Sequence, residues 1–221
     1  MQTILMNAKE NLAKNPDEIF HVGDKVKVGY DGKIKDKVPI GIANVPLCNW
    51  GEFYMEKVNF FNSELFHEKA EKTFLIHKNK ITEFLPEADI QHVGSSAIPN
   101  SLTKGDLDIQ VRVGAEQFSN AVELLSNLYE SNDGSVKTDT FRAFKDDTTI
   151  PPLGVQLTVI DSEFDFFWKF REVLLANNKY RDAYDKLKQE YEAKSMDAYR
   201  EAKDIFFQRL METSEFKKYD K

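Results

Sequence analysis

Two aspartates, Asp106 and Asp108, stand one residue apart at the entrance to an alternating run, Leu107-Asp108-Ile109-Gln110-Val111-Arg112-Val113. In an extended strand residues i and i+2 share a face, so both carboxylates project to the same side. Side by side they repel unless positive charge lies between them. A divalent cation is one economical answer: Mg²⁺ (or Mn²⁺) commonly takes one or two carboxylates and completes its shell with water and a substrate's phosphates. Such an ion can bridge a triphosphate and stabilise in-line displacement at phosphorus. Upstream, Ile90–Val93 reads as a short strand running into Gly94-Ser95-Ser96. Glycine lets a backbone approach a ligand closely. A serine hydroxyl adds to the backbone N–H donors that surround a phosphate.

Each part alone is commonplace. Asp-x-Asp at a strand edge is usually solvated charge, and Gly-Ser is usually a turn. Their order (strand, Gly-Ser, loop, Asp-x-Asp, strand) supplies the parts of a polymerase-β-like nucleotidyltransferase site. Lys104 precedes the carboxylates and could touch phosphate, or be a solvated loop lysine. Arg142 and Lys145, in Phe141-Arg142-Ala143-Phe144-Lys145, could supply positive charge for a triphosphate. Tyr199 and Lys203 share a helix face at i, i+4, from which Lys203 could reach the cleft. His92 is expected to shape the Gly-Ser turn through hydrogen bonds. His21, His67 and His77 show no zinc-ligand spacing. The chain contains no Walker loop, no Gly-x-Gly-x-x-Gly and no Gly-x-Ser-x-Gly elbow.

The elements that must hold these residues follow from periodicity. Residues 1 to about 20 read as a polar helical lead-in interrupted at Pro16. Val26, Val28 and Tyr30 alternate with polar residues, Asp31-Gly32 is a hairpin turn signal, and Ile34, Val38, Ile40, Ile42 and Val45 extend the strand character. Residues 1–50 therefore form a small β-rich appendage, and residues 51–221 the main domain. Ser63 is a candidate N-cap for a helix to Phe84 that buries Leu65, Phe66, Ala70, Phe74, Ile76, Ile81 and Phe84. Strands are expected at Ile90–Val93, Leu107–Val113, Phe141–Phe144 and Val155–Ile160, with an amphipathic helix over 115–130. The tail is helical. Phe164 to Leu175 make one helix, Tyr180, Tyr184, Leu187 and Tyr191 stripe a second, and Tyr199, Ala202, Phe206 and Leu210 a third. The expected fold is α+β (α/β): a mixed sheet flanked by helices, with the C-terminal helices covering it.

Composition bounds the rest. The 221 residues carry a net charge of −7, so bulk attraction to a nucleic-acid backbone is disfavoured, while small anionic substrates handled through a metal are not. Seventeen phenylalanines, mostly in the second half, point to the larger core there. The single cysteine, Cys48, fits a reducing compartment. No run approaches the ~20 apolar residues of a membrane span, and the N-terminus has no signal-type segment, so a cytoplasmic protein without a membrane partner is expected.

The segment His92-Val93-Gly94-Ser95-Ser96-Ala97-Ile98-Pro99 resembles the signature of the GrpB family. Phe170-Arg171 to Leu174, Tyr184 to Lys188, and Tyr199 to Lys203 resemble that family's later Phe-Arg-x-x-Leu, Tyr-x-x-Leu-Lys and Tyr-x-x-Ala-Lys stretches, in order, over roughly 56–212. The family is grouped with the nucleotidyltransferases, so the resemblance implies their fold and a candidate site. It does not imply a substrate. Relatives commonly carry an acidic residue only at the position of Asp108, so Asp106 makes this chain more like an active nucleotidyltransferase. Active members of the superfamily place a third carboxylate on a later strand, where residues 155–160 offer Gln156 and Thr158. Asp147 and Asp161 flank that strand, and nothing in the sequence aims either at the site.

Three functions stay open at this stage. The first is Mg²⁺-dependent transfer of a nucleoside monophosphate from an NTP to an unknown hydroxyl or amine acceptor. Asp106 and Asp108 would hold the metal, with Gly94, Ser95, Ser96, Lys104, Arg142 and Lys203 around the nucleotide. The second is a nucleotide-binding or partner-docking module without turnover. The third is an interaction scaffold that uses residues 22–46.

Overall fold

The computed structural model describes residues 57–220 in full and, N-terminal to them, the backbone of two strands, β1 (Lys25–Val28) and β2 (Ile34–Val38). The chain divides into two compact units, Met1–Met55 and Glu56–Lys221. In the first, β1 and β2 pair antiparallel, with an irregularity between Lys27 and Val28. The expected helical lead-in, the Asp31-Gly32 turn and the further strand character at Ile40, Ile42 and Val45 lie outside the described residues.

The second unit runs β3 (Phe61–Asn62), α1 (His67–Phe84), β4 (Asp89–Val93), β5 (Leu102–Thr103), β6 (Leu107–Val113), α2 (Phe118–Ser126), β7 (Glu130–Ser131), β8 (Phe141–Asp146), β9 (Leu153–Val159), α3 (Phe167–Ala176), α4 (Asn178–Tyr191), α5 (Met196–Met211) and α6 (Ser214–Lys217). Five strands form one mixed sheet in the order β4-β6-β9-β8-β7; β6 and β9 are parallel and the other pairs antiparallel. A separate small ladder joins β3 to β5.

Strand alternation divides the sheet into two chemically different faces. Leu107, Ile109, Val111 and Val113 of β6 and Leu153, Val155, Leu157 and Val159 of β9 meet Phe74 and Ile81 of α1 and Phe118, Ala121 and Leu125 of α2. Each such fully buried side chain contributes about 1.5–3 kcal/mol over leaving it exposed. The opposite face carries Asp108, Gln110, Arg112, Gln156 and Thr158. Its buried part is closed by hydrogen bonds. The Asp165 carboxylate accepts from Arg112 Nε at 2.7 Å, Arg112 Nη2 at 2.6 Å, Gln110 Nε2 at 2.9 Å and the Asp161 N–H at 2.9 Å. Gln110 Oε1 in turn accepts the Trp168 N–H, which seats α3 on this face. A second core joins Ile98 to Val173, Leu174, Tyr184, Leu210 and Phe216, with Phe166, Phe170, Phe206 and Phe207 packed against it.

Three expectations are corrected, and a fourth holds for a different reason. Ser63 does not cap α1. It opens a 3₁₀ turn capped by Asn62, and its buried hydroxyl donates to Ile98 O at 2.9 Å. The buried stripe of α1 is Ala70, Phe74, His77 and Ile81, whereas Ile76 and Phe84, off that face of the helix, and Leu65, in the preceding 3₁₀ turn, are exposed. The helix expected over 115–130 is a 3₁₀ turn followed by α2, which ends at Ser126. The larger core does draw most of its buried residues from the second half, as expected, but it is the mainly aliphatic cluster on the sheet, and the later phenylalanines belong mostly to the second core.

Candidate functional site

Asp108 sits near the start of the central strand β6, opposite Val93 of β4 on one side and Gly154 of β9 on the other. Two glycines make room for it. Gly94 has φ +75° and ψ −172°, and a Cβ built there would lie 2.9 Å from Asp108 Cβ. A Cβ on Gly154 would lie 3.0 Å from Asp108 Oδ1. The Asp108 side chain therefore fills space that two side chains would otherwise claim. Gln156 Nε2 donates to its Oδ1 at 3.2 Å. Burial, and then the neighbouring Asp106 charge, push the Asp108 carboxyl up to about 6, against the pull of Lys203, Lys104 and Gln156. Asp106 pairs with Lys104 at 2.9 Å.

Both aspartates open into a cavity of about 580 Å³, which Gly94, Ser95, Lys104 and Lys203 also line. Six of the eight sequence candidates thus converge. Ser96 does not reach the cavity lining. It is buried and engaged from behind: His92 lies 3.1 Å from the Ser96 hydroxyl through Nε2, and 2.5 Å from Glu71 Oε1 through Nδ1. Burial lowers the His92 pKa in spite of Glu71. The neutral tautomer that satisfies both contacts donates Nδ1–H to the carboxylate and accepts the Ser96 O–H at Nε2. His92 thus shapes the Gly-Ser turn, as expected. Arg142 is the other exception. It pairs with Leu157 on β9 and shares the core-facing side with Phe144, so alternation turns it away from Asp108. Lys145 has the site-facing parity but forms an ion pair with Asp147, so neither residue contributes to the cavity.

Several residues in or behind the lining stand in the sequence as parts of the family-like stretches, with no role that their spacing reveals. Arg171 of α3 donates Nη1 to His92 O at 2.7 Å and Nη2 to Gln91 Oε1 at 2.8 Å, tying the helix to the strand that delivers Gly94. Tyr184 and Tyr199 place their hydroxyls 3.1 Å apart. Lys188, one helical turn beyond Tyr184, is fully buried. Its Nζ bonds Leu102 O, Ser101 Oγ at 3.3 Å and Asp185 Oδ1 at 3.1 Å. Asp185 Oδ1 also accepts the Ser101 hydroxyl at 2.6 Å and the Leu102 N–H at 3.0 Å. This knot fixes the segment that leads into Lys104 and Asp106. The i, i+4 pair Tyr199/Lys203 was visible as a helix face and Tyr184 to Lys188 as a family-like stretch, but nothing in their spacing said what those residues meet.

The donor set suits a cation shared with a ligand and not a closed protein cage. Among the described residues no three His, Cys, Asp or Glu side chains come together around a metal position. Beside Asp108, the Oε1 of Gln156 is buried without a hydrogen-bond partner. An unpaired buried acceptor next to two mutually repelling carboxylates leaves positive charge wanting there, and Mg²⁺, which takes one or two carboxylates and completes its shell with water and phosphate, suits such a set.

A five-stranded mixed sheet packed under helices, with a Gly-Ser turn and a carboxylate pair at one end, defines an α+β domain whose candidate site sits at that end of the sheet. Residues 66–213 match the model of the GrpB protein family, and the chain belongs to that family. It is 32% identical over 169 residues to a UPF0157 protein of Vibrio cholerae serotype O1, covering 75% of this chain and 86% of the relative. Among solved structures it resembles conserved protein GrpB from Enterococcus faecalis, with a TM-score of 0.55 and 21% identity over 68% of this chain and 94% of the other. A looser likeness, with a TM-score of 0.35 and 10% identity over 55% of this chain and 44% of the other, is to the Cid1 poly(U) polymerase.

Proposed function

We propose that the cavity binds a nucleoside triphosphate together with Mg²⁺ and transfers the nucleoside monophosphate to a hydroxyl or amine acceptor. The convergence of Asp106, Asp108, Gly94, Ser95, Lys104 and Lys203 on one cavity carries this reading. When bound, the cation supplies charge neutralisation at the phosphates. Asp106 and Asp108 would hold it, and Lys104, paired with Asp106 in its absence, would be released to meet phosphate oxygen. Gly94, without a side chain, and the Ser95 hydroxyl cradle the triphosphate. The acceptor forms a bond to the α-phosphorus as the bond to the bridging oxygen breaks. Pyrophosphate leaves, and the acceptor proton passes to water. The single cysteine of the chain, Cys48, is in keeping with a reducing, cytoplasmic setting. No helix among the described residues is long and apolar enough to cross a membrane.

A second reading, nucleotide binding without turnover, has its own support. Gln156 stands beside Asp108 where a third carboxylate would serve as base, and its amide is spent on holding Asp108. Calorimetry with and without Mg²⁺, on the wild type and on Asp106→Asn/Asp108→Asn, tests the site. Metal-dependent NTP binding lost in the double variant is expected. Binding that survives the double substitution would remove the assignment. Release of pyrophosphate across a panel of acceptors then separates transfer from storage.

A further inference from the structure

Asp106, Asp108, Lys104 and Lys203 account for only part of the cavity lining. Another part is a wall built by α3, the turn before it, and α5, the helix that also carries Lys203. Phe166, Phe167, Phe170 and Phe207 line it, all half-buried. They pack on each other, with ring centroids 4.6 Å apart for Phe166 and Phe167 and 4.4 Å for Phe170 and Phe207. Leaving aromatic surface open beside a charged centre gains nothing for folding, since covering it would be favourable. Pockets that bind small molecules have this composition: an apolar body with few, placed polar groups.

Polar groups stand beside these rings. Helix α5 presents Lys203, Asp204, Phe207 and Gln208 to the cavity, the i, i+1, i+4 and i+5 positions of one helix face. Asp204 and Gln208 are exposed and make no side-chain hydrogen bond among the described residues. An acyl chain would use the phenylalanines and leave these groups idle. A flat ring with heteroatoms at its edge uses both, because its faces stack on phenylalanine while its N–H groups and lone pairs meet a carboxylate acceptor and an amide.

We infer that the Phe166–Phe170–Phe207 wall, with Asp204 and Gln208, is the seat of a heteroaromatic ring, in the same cavity as Asp106 and Asp108. The assignment rests on the proposed metal–phosphate site only for what the ring is attached to. The ring belongs either to the base of the bound nucleotide or to the acceptor, and the chemistry of recognition is the same for both.

The test is calorimetry on the full chain with three probes: Mg²⁺–tripolyphosphate, Mg²⁺–NTPs, and free nucleosides and related heteroaromatics without metal. Variants Phe207→Leu and Gln208→Ala accompany the wild type; the second removes an exposed group and preserves the fold. If the seat holds the base, NTPs bind more tightly than tripolyphosphate by about fivefold to a hundredfold, the range of one stacked base. Both variants then weaken NTP and leave tripolyphosphate unchanged. If it holds the acceptor, NTP and tripolyphosphate bind alike. A heteroaromatic compound then binds alongside either, and both variants weaken it. The inference is overturned if no ring compound binds and NTP gains nothing over tripolyphosphate, or if ring binding ignores both substitutions. Failure of tripolyphosphate to bind with Mg²⁺ strikes the metal–phosphate reading alone, because the metal-free titration still decides the seat.

Discussion

The space that a side chain at Gly94 would fill is taken by Asp108: a Cβ on Gly94 would lie 2.9 Å from Asp108 Cβ. The turn that would meet phosphate and the carboxylate that would meet the metal are therefore fitted to one another. At φ +75° an L side chain is strained even without the contact. Gly94→Ala should cost about 3 kcal/mol, from backbone strain and overpacking together, and should abolish nucleotide binding. Urea denaturation and calorimetry on the same preparation check both.

Acid titration should expose Asp108. Its folded-state carboxyl is raised to about 6, so its ionisation opposes folding: the stability linked to it is full below the unfolded value near 3.8 and is lost as pH rises through about 6. Asp108→Asn should therefore be more stable than wild type at pH 7, by about 1–3 kcal/mol, with the gap closing towards pH 4. His77 and His92 act in the opposite direction. Burial lowers both, so their contribution is present above 6.5 and is lost as pH falls. The Asp108→Asn variant should then show a steeper loss of stability in acid than the wild type. Thermal melts across pH 4–8 give the comparison.

Metal-dependent binding should follow the same carboxyl. Below about pH 6 a proton competes for Asp108, so affinity for Mg²⁺–NTP should fall with acid, approaching tenfold per pH unit. Affinity that stays flat from pH 7 to 5 would show that Asp108 does not hold the cation.

Gln156→Glu restores an acid beside Asp108. Without metal it should lower the melting temperature, because a further negative charge joins a pair that already raises Asp108. Millimolar Mg²⁺ should reverse the loss and stabilise this variant more than wild type. If the metal shifts the two proteins equally, Gln156 lies too far from the cation to matter.

Lys188→Met should destabilise the fold by about 3–5 kcal/mol, since it leaves Asp185 in a buried pair without its cation. Arg142→Ala is the contrasting control: facing away from Asp108, it should leave NTP affinity within about twofold of wild type, against the roughly tenfold change of a lost charge contact. Denaturant midpoints and calorimetry decide each.

The sequence by itself determined the strand-turn-strand that carries Gly94, Asp106 and Asp108, because period-2 alternation puts Leu107, Ile109 and Val111 in the core and Asp108 on the other face. It also determined the three C-terminal helices, whose apolar spacing is regular, and the family, whose motifs are local. It could not tell which way Arg142 points, since that depends on the register of β8 against β9. Nor could it separate Ser95 from Ser96, because neighbouring serines differ only in what the turn faces: one lines the cavity and the other meets His92. The aromatic wall and the buried Lys188 were tertiary decisions as well. A helix face in sequence shows which residues share a side, but only packing brings Phe207 of α5 against Phe170 of α3 and Lys188 against Leu102, more than eighty residues upstream.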